Sequence, residues 1–317
     1  MTPPRLSILV VSFSTRDLLG RCLESIQRFP PPAPFETIVI DNASTDGSAD
    51  LVASRFPGIR LIRNDRNLGY GAAHNRGLQA AGGEVVLFLN SDTELLPGSL
   101  APLLKHLDEY PRVGVVGPAE QLVDGSLYPT ICPPPDLLFM VLAHTGLRRR
   151  FNTSSWINPY REIWERAIQT GRPVPVGWLS GASLMVRRRV LEQVGPFDEG
   201  YFFYMEETDL CERARRAGWG VEFVPEGRLM HHGGGSSDKA KGGLLTLSGT
   251  VSELRYFCKH RSGTEVILLK ALLFAEFTLK LLLARSSDPR RWAYREILAV
   301  VLGLRLPQIT KGDLCRR

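Results

Sequence analysis

The first 110 residues alternate short apolar runs with amphipathic helical segments, and this alternation constrains the fold more than any other feature of the chain. It predicts strands at residues 6–13, 35–41, 59–63 and 84–90, and helices at residues 16–29, 48–56, 70–81 and 99–110. The order is typical of an α/β domain whose mostly parallel central sheet carries helices on both faces. Ligands of such sheets bind beyond the carboxyl ends of the strands. Asp41, Asn42 and residues 90–92 are therefore the first candidates for a site.

Composition and charge favour a globular protein with an anionic partner. The 317 residues are 44% hydrophobic and 23% charged, which is ordinary for a soluble globular chain. The apolar run near residue 6 is too short for a signal peptide and is better explained as a buried strand. The net charge of +6 suggests phosphate-bearing small molecules or an anionic membrane surface as partners. Nucleic acid is not expected, because no helix-turn-helix, zinc-finger or RNP pattern occurs.

The five cysteines are scattered along the chain and never form a C-x-x-C pair. A disulfide framework or a zinc site is therefore not expected, and a reducing cytoplasm fits this usage.

The second half of the chain is less regular. Residues 118–176 contain "PPP" at 133–135 and few periodic segments, which predicts a long, adaptable connection. A glycine-rich segment at residues 231–243, "HHGGGSSDKAKGG", is predicted to be mobile.

Residues 264–284 form an apolar segment that is nearly long enough to span a bilayer. Four charged residues interrupt it and share one arc of roughly 140° on a helix: Glu265, Lys270, Glu276 and Lys280. A narrow charged stripe on an apolar helix fits a helix that lies in a membrane interface. The alternative is a buried amphipathic helix that completes the core. Lys270, Lys280 and Arg285 favour the membrane.

The stretch "YFFYMEETDL" places three carboxylates, Glu206, Glu207 and Asp209, behind a cluster of aromatic residues. They precede the predicted helix "LCERARRAG", where negative charge complements the helix dipole. Asp209 with Glu212 resembles a loose capping box, so Asp209 is interpreted as the helix start. Metal ligation and general-base catalysis are the other roles open to these acids.

Two strand ends carry further candidates. Asp41 at a strand end could accept hydrogen bonds from a base or a ribose, and Asp46 could cap the next helix. Asp92 could hold Mg²⁺ or Mn²⁺ against a diphosphate, although a simple turn explains one carboxylate equally well. The segment "NDRNLGYGAAHNRGL" lacks the dinucleotide-binding and P-loop patterns.

Several motifs in one order resemble family 2 inverting glycosyltransferases, in particular the rhamnosyltransferase-like branch that builds bacterial cell-surface polysaccharides. They are "LSILVVSFSTRD", "VIDNASTDGS", "NLGYGAAHNRGL", "LFLNSDTEL", "GWLSGASLMVRR", "GPFDEGYFFYMEETDLCERARRAGW" and "HHGGGSS". The resemblance covers roughly residues 5–260. It implies a GT-A (Rossmann-like) fold, in which a nucleotide-sugar-binding α/β half is fused to an acceptor-binding half.

The resemblance also implies roles for individual residues. Asp41 would hold a uracil- or thymine-type base and its ribose, and the last place of the D-x-D motif, Asp92, would ligate the metal together with His231. Glu207 takes the position of the catalytic base. The residues that would line the donor-binding site are Ser12, Ser14, Asn67, Gly69, Asn75 and Ser91. Those that would line the acceptor-binding site are Trp178, Gly181, Ala182 and Glu206.

Two positions depart from the family pattern. The first D-x-D position is Asn90, so one charged ligand is missing and metal affinity is in doubt. Where many members have Glu-Asp, this chain has Glu206-Glu207, and the extra methylene of Glu207 requires a small adjustment of its reach.

The sequence therefore predicts three regions: a donor-binding half at residues 1–130, an acceptor-binding and catalytic half at 131–243, and a C-terminal amphipathic helical region at 244–317. The predicted reaction moves a sugar such as rhamnose from a dTDP- or UDP-sugar, with Mg²⁺ or Mn²⁺, to a glycan or polyprenyl-linked acceptor. It would occur at the cytoplasmic face of the cell membrane.

A nucleotidyltransferase would normally carry a G-x-G-type phosphate loop near its N-terminus, which this chain lacks. A non-catalytic nucleotide-sugar- or glycan-binding component of a polysaccharide assembly complex is the alternative from another class.

Overall fold

The computed structural model describes residues 3–147, 159–233 and 242–304, and the chain divides into two compact units. Unit 1 comprises Met1–Pro134, Tyr160–Glu199 and Glu206–Ser236, and unit 2 comprises Pro135–Pro159, Gly200–Met205 and Ser237–Arg317. The predicted functional regions are defined by ligands rather than by compactness, so their boundaries stay predictions.

Unit 1 is built on a mixed sheet with helices on both faces. Its strands are β1 (Leu6–Ser12), β2 (Phe35–Asp41), β3 (Arg60–Arg63), β4 (Val85–Asn90), β5 (Thr93–Leu95), β6 (Val113–Gln121), β7 (Leu127–Tyr128), β8 (Ile131–Cys132), β9 (Val174–Pro175), β10 (Trp178–Leu179), β11 (Ser183–Arg187) and β12 (Gly220–His231). Its helices are α1 (Arg16–Arg28), α2 (Ser48–Arg55), α3 (Tyr70–Leu78), α4 (Ala101–Glu109), α6 (Pro159–Thr170), α7 (Arg188–Val194) and α8 (Glu206–Arg216). Helix α5 (Leu137–His144) belongs to unit 2.

The strand order among the described residues is β3-β2-β1-β4-β11-β6-β12-β5, with β7 beside β6 and β9 beside β12. Strands β3, β2, β1 and β4 run parallel, β11 is antiparallel to both of its neighbours, and β12 is parallel to β6. The short strands β8 and β10 pair separately. The predicted fold class, α/β with a largely parallel sheet, is confirmed.

The central strands are apolar on both sides because helices cover both faces of the sheet. One buried cluster contains Leu23 of α1 and Leu103 of α4. The cluster on the opposite face contains Ala73 of α3 and Leu210 of α8. This two-sided cover fixes which strand ends stay open for a ligand.

All eight elements predicted in the first 110 residues are present, and α3 differs most because it ends at Leu78 rather than at residue 81. Two glycines, Gly82 and Gly83, follow that helix. A Cβ on Gly83 would lie 2.6 Å from the backbone nitrogen of Ser7, so only glycine allows this close approach to β1.

Two expectations from the sequence are corrected. Residues 118–176 are not a plain connection, because they include part of β6, the strands β7–β9 and the helices α5 and α6; the two-residue strands are too short to show a period. Helix α8 begins at Glu206, so Asp209 lies inside its first turn and bonds Arg213 at 2.7 Å, while Glu212 bonds Arg215 and Arg216. Asp209 and Glu212 therefore do not form a capping box.

Unit 2 is helical. It contains α5 (Leu137–His144), α9 (Gly242–His260), α10 (Gly263–Leu283) and α11 (Arg291–Val301), and its buried core includes Tyr256, Phe257, Leu269, Leu273 and Phe277. The predicted C-terminal helical segment is confirmed. Within the described ranges, no helix combines the length and the apolar character needed to cross a membrane.

The predicted glycine-rich segment falls largely outside the described residues, because residues 234–241 are not described.

Candidate active site

The carboxyl ends of β1, β2 and β4 meet at one edge of the sheet. In the strand register, Ser12 lies opposite Asp41 and Val11 lies opposite Asn90. The Ser12 hydroxyl is 3.0 Å from that of Thr15, which in turn is 2.7 Å from the Ser91 hydroxyl. The structure thus brings three predicted donor residues, Ser12, Asp41 and Ser91, to the same edge.

Asp41 carries an unsatisfied oxygen at this edge. The residue is only 4% exposed, and its Oδ2 accepts a hydrogen bond from the Ser44 backbone at 3.1 Å. Its Oδ1 is buried without a hydrogen-bond partner among the described residues. A buried acceptor without a donor is costly, so this oxygen suits a donor that a ligand brings.

Ser14 belongs to the same loop region. It adopts a left-handed backbone with φ 54°, and its N–H donates to the Ser44 hydroxyl at 2.8 Å. The Ser14 hydroxyl accepts from the Thr45 backbone at 3.3 Å. The loop after β1 and the turn after β2 are thereby held together beside Asp41.

An asparagine network holds the loop that carries Asn67 and Gly69. Asn42 donates to the Asn67 side chain at 2.7 Å and to the Gly69 carbonyl at 3.2 Å, and Asn64 donates to Asn42 at 3.1 Å. Because Asn42 directly follows Asp41, this network ties Asn67 and Gly69 to the same edge. Asn75 is used differently, since its amide bonds the backbone N–H and carbonyl of Phe197. Its donor-binding role stays a prediction.

His231 lies between two carboxylates at the end of β12. Its Nε2 is 3.4 Å from Asp92 Oδ1, and its Nδ1 is 2.7 Å from Glu120 Oε2. Burial of the imidazole opposes protonation, but the bonds to Asp92 and Glu120 outweigh it and raise the pKa of His231 to about 10. The next residue, His232, bonds Glu94 at 2.7 Å and donates its backbone N–H to the Asp92 carbonyl at 2.9 Å.

Asp92 and His231 have the chemistry of a divalent-cation site. A carboxylate oxygen suits both Mg²⁺ and Mn²⁺, and an imidazole nitrogen adds a ligand that transition metals accept. No group of three or more His, Cys, Asp and Glu side chains in the described ranges is arranged to hold a metal ion. The pair therefore fits a cation that takes its remaining ligands from a bound diphosphate, and His231 would have to lose its proton to bind it.

Glu207 lies in the first turn of α8 and is only partly buried by surface area. Burial of its carboxyl group raises the pKa of Glu207 to about 7, which is suitable for a general base near neutral pH. The Thr208 hydroxyl donates to Glu207 Oε1 at 3.3 Å. A Cβ at Gly181 would lie 3.5 Å from Glu207 Cγ, an ordinary van der Waals contact, so Gly181 lies directly beside the Glu207 side chain.

Gly181 and Ala182 join Glu207 to the sheet edge. The Tyr70 hydroxyl donates to the Gly181 carbonyl, and the Asn90 N–H donates to the Ala182 carbonyl at 2.9 Å. Because Asn90 ends β4 and leads to Asp92, two predicted acceptor residues lie between the predicted base and the predicted metal ligand.

Glu206 and Trp178 both carry buried polar atoms without partners among the described residues. Glu206 is 3% exposed with an unpartnered Oε2, and the indole N–H of Trp178 is likewise unpartnered. Burial, followed by the charge of Glu207, raises the pKa of Glu206 well above its usual range. Burial therefore disfavours the charged form of the Glu206 carboxyl. Their predicted contacts with the acceptor stay predictions.

Sequence reasoning missed four residues that shape this region: Glu120, Glu94, Thr15 and Tyr70. One signal was present for Glu120, because an acid in the otherwise apolar strand "VGVVGPAEQ" needs a partner. The other three carry no such signal.

Comparison with known proteins identifies the family of this chain. Residues 7–195 match the family model described as glycosyl transferase family 2. The N-acetylglucosaminyl-diphospho-decaprenol L-rhamnosyltransferase of Mycobacterium tuberculosis is 37% identical over 238 residues, which cover 72% of this chain and 76% of that protein.

Two solved structures share the fold. The mannosyltransferase PcManGT from Pyrobaculum calidifontis, in complex with GDP-Man and Mn²⁺, has a TM-score of 0.56 at 17% identity and covers 96% of this chain and 77% of its own. TarS 1–349 from S. aureus, in complex with UDP, has a TM-score of 0.52 at 16% identity and covers 98% of this chain and 95% of its own. At these identities the likeness shows the GT-A fold alone. The family model and the Mycobacterium tuberculosis relative go further: this chain belongs to glycosyl transferase family 2 and is a glycosyltransferase.

Proposed function

We propose that this glycosyltransferase moves rhamnose or a closely related sugar from a dTDP- or UDP-sugar to a polyprenyl-diphosphate-linked saccharide, with inversion at the anomeric carbon. The observation that carries the chemistry is Glu207, a partly buried carboxyl with a pKa of about 7 in the same compact unit as Asp41 and Asp92. The substrate class is supported by the 37% identical relative, whose name specifies an L-rhamnosyl transfer to N-acetylglucosaminyl-diphospho-decaprenol.

The reaction is a single displacement. The acceptor hydroxyl oxygen forms a bond to the anomeric carbon, and the bond from that carbon to the diphosphate oxygen breaks. The nucleoside diphosphate leaves with the electron pair, and the hydroxyl proton passes to the Glu207 carboxylate.

The nucleotide is bound at the opposite end of this arrangement. The unpartnered Oδ1 of Asp41 accepts a hydrogen bond from an N–H of the base or a hydroxyl of the ribose. Ser12 and Ser14 line the same pocket. A divalent cation held by Asp92 and His231 would neutralise charge on the diphosphate.

The decisive experiment replaces Glu207 by Gln. Transfer from nucleotide sugars to a lipid-linked acceptor should fall by about 10²–10⁴-fold, the usual contribution of a general base. Binding of the nucleoside diphosphate, measured by calorimetry with Mn²⁺ and again with EDTA, should be unchanged. Asp41→Asn is the matched control, since it should weaken nucleotide binding. Absence of nucleotide-sugar binding in the wild-type protein would contradict the proposal.

The same proposal includes peripheral contact with the cytoplasmic face of the membrane through α10. The buried residues Leu269, Leu273 and Phe277 fall within the helical arc that also carries the charged residues. This arc faces partly toward the rest of unit 2: Glu276 bonds His144 at 2.6 Å, whereas the Lys280 side chain is 45% exposed. The opposite side of the helix exposes uncharged large side chains, and Leu283 is exposed at the last residue of the helix: the exposed set on that side is Ile267, Leu268, Phe274, Leu279 and Leu282.

An anionic bilayer surface suits this face better than a second copy of the chain. Leu282 and Leu283 are 77% and 75% exposed, which is unusual for adjacent leucines in water. Lys270 at the edge of the charged arc and Arg285 just after α10 form no ion pair with another described residue, so their charge is available to lipid phosphates. The same cations would repel an identical surface.

Vesicle binding tests this part of the proposal. The double substitution Leu282→Glu and Leu283→Glu should reduce co-sedimentation with phosphatidylglycerol vesicles at least tenfold, and Val123→Glu should not, although Val123 is also exposed. Equal binding of all three proteins would contradict it. So would a wild-type dimer that dissociates on the double substitution, measured by analytical ultracentrifugation, because it would assign the face to a second copy.

A further inference from the structure

Two neighbouring histidines at the end of β12 each bond a carboxylate at 2.7 Å, but only one of these carboxylates is deeply buried. Glu120, the partner of His231, is 2% exposed, whereas the side chain of Glu94, the partner of His232, is 26% exposed. Burying a carboxylate is costly unless a charged partner compensates for it. The bond from His231 provides the buried Glu120 carboxyl with the partner that it needs.

The two contacts of the His231 ring indicate the role of Glu120. The His231 ring presents Nδ1 to Glu120 and Nε2 to Asp92, at 2.7 Å and 3.4 Å. A bond at one ring nitrogen fixes the ring orientation and leaves the other nitrogen directed at the site. The bond to Glu120 thus orients the His231 ring so that its Nε2 faces Asp92, the residue in the last D-x-D position.

The charge at this edge supports the same role. In the D-x-D position where a second carboxylate is expected, the chain has Asn90. Strand β6 supplies one instead, because it pairs with β12 and places Glu120 opposite Leu229, two residues before His231. The two carboxylates near the site are then Asp92 and Glu120, from β4–β5 and β6.

We propose that Glu120 is a positioning residue of the cation site: it holds His231 toward Asp92 and supplies the negative charge that Asn90 lacks. This inference rests on the proposed function, because it assumes a divalent cation at Asp92 and His231.

The test measures Mn²⁺ binding directly, by calorimetry and by the electron paramagnetic resonance of free Mn²⁺, in the presence of a nucleoside diphosphate. Glu120→Gln keeps a hydrogen-bond acceptor for Nδ1 but removes the charge, and should weaken Mn²⁺ binding by about tenfold. Glu120→Ala removes both and should weaken it by about 100-fold. Glu94→Gln, the matched control at the neighbouring histidine, should stay within twofold of the wild type.

A second variant tests the relation to Asn90. Adding Asn90→Asp to Glu120→Gln should restore most of the lost Mn²⁺ affinity, because it returns a carboxylate to the site. If glutamine prevents folding, as judged by thermal unfolding, Glu120→Asp replaces it; the shorter side chain loses its reach to Nδ1 and should also weaken binding.

The outcomes separate the two proposals. If the wild-type protein binds the nucleotide but not Mn²⁺, the cation site itself is wrong. If it binds Mn²⁺ and Glu120→Gln binds it equally well, or if Glu120→Gln and Glu94→Gln lose the same affinity, the positioning role is wrong while the function stands.

Discussion

Each compact unit contains a histidine between two carboxylates, and the two clusters have different surroundings. In unit 1, His231 lies between Asp92 and Glu120 at the edge where parallel strands end. In unit 2, His144 lies between Glu253 and Glu276, at 3.0 Å and 2.6 Å, and connects helices α5, α9 and α10. The same local chemistry can therefore serve a ligand site or a packing contact.

The neighbouring polar atoms distinguish the two clusters. Near His231, the same sheet edge contains the unpartnered Oδ1 of Asp41. Around His144, both ring nitrogens are bonded, and Glu276 also accepts from Lys280. An arrangement that satisfies itself stabilises packing, whereas an arrangement with an unsatisfied acceptor nearby is completed by a ligand.

The largest effect should follow from breaking the unit 1 cluster. Asp92→Asn removes the carboxylate that is proposed to face the diphosphate, and the rate of sugar transfer should fall by about 10²–10³-fold, as for the loss of one electrostatic contact to developing charge. The measurement is the initial rate of sugar transfer at saturating Mn²⁺. Glu253→Gln, the corresponding change in unit 2, should leave the rate within twofold when assayed well below the unfolding temperature. Similar losses in both variants would show that the clusters do not differ in function.

Breaking the unit 2 cluster should instead affect stability. His144→Ala leaves Glu253 and Glu276 facing each other without the cation between them, and should lower the free energy of unfolding by about 3 kcal/mol. Urea unfolding followed by circular dichroism measures this change. The exposed pair Arg55–Glu24 provides the control, since its side chains are 59% and 51% exposed and Glu24→Ala should cost less than about 1 kcal/mol. An unchanged urea midpoint in His144→Ala would contradict the packing role.

The pH dependence of stability should follow His144. Burial opposes its protonation, but the bonds to Glu253 and Glu276 outweigh it and raise the pKa of His144 from 6.5 to about 9 in the folded protein. Because folding raises this pKa, the stabilisation is fully present below about pH 6.5 and is lost as the pH rises through 9. The wild-type advantage over His144→Gln in urea should narrow between pH 6.5 and 9.5. An advantage that grows over this range would contradict the assignment.

The smallest effect is the pH dependence of the rate. Glu207 acts as a carboxylate, and with its pKa raised to about 7 the rate at subsaturating substrate should be half-maximal near pH 7. Below pH 6 it should fall about tenfold per pH unit. Glu207→Asp, which resembles the more common family residue, should move this ascending limb to lower pH because the intrinsic pKa of an aspartate carboxyl is lower than that of a glutamate. A rate that is independent of pH between 5.5 and 8 would exclude Glu207 as the base.

Much of the fold and part of the site follow from the sequence. The apolar strands up to Asn90 and the helices between them are local patterns, so their positions and their parallel order were predictable. Once the strands are parallel, Ser12, Asp41 and Asp92 must meet at one edge. The motif order also indicates Glu207 as the base, and its pKa near 7 is consistent with that prediction.

The remaining features depend on contacts between residues that are far apart in the chain. The partner of His231 is Glu120, 111 residues earlier, and His144 bonds Glu276, 132 residues later. The charged arc of α10 is visible in the sequence, but the side of the helix that faces unit 2 is set by packing against α5, α9 and α11. Sequence by itself determined the elements, their order and the edge that carries the site, because these arise from local periodicity and strand direction. Only the tertiary structure decided which acid meets which histidine and which face of α10 stays exposed, because burial and ion pairing depend on how distant segments pack together.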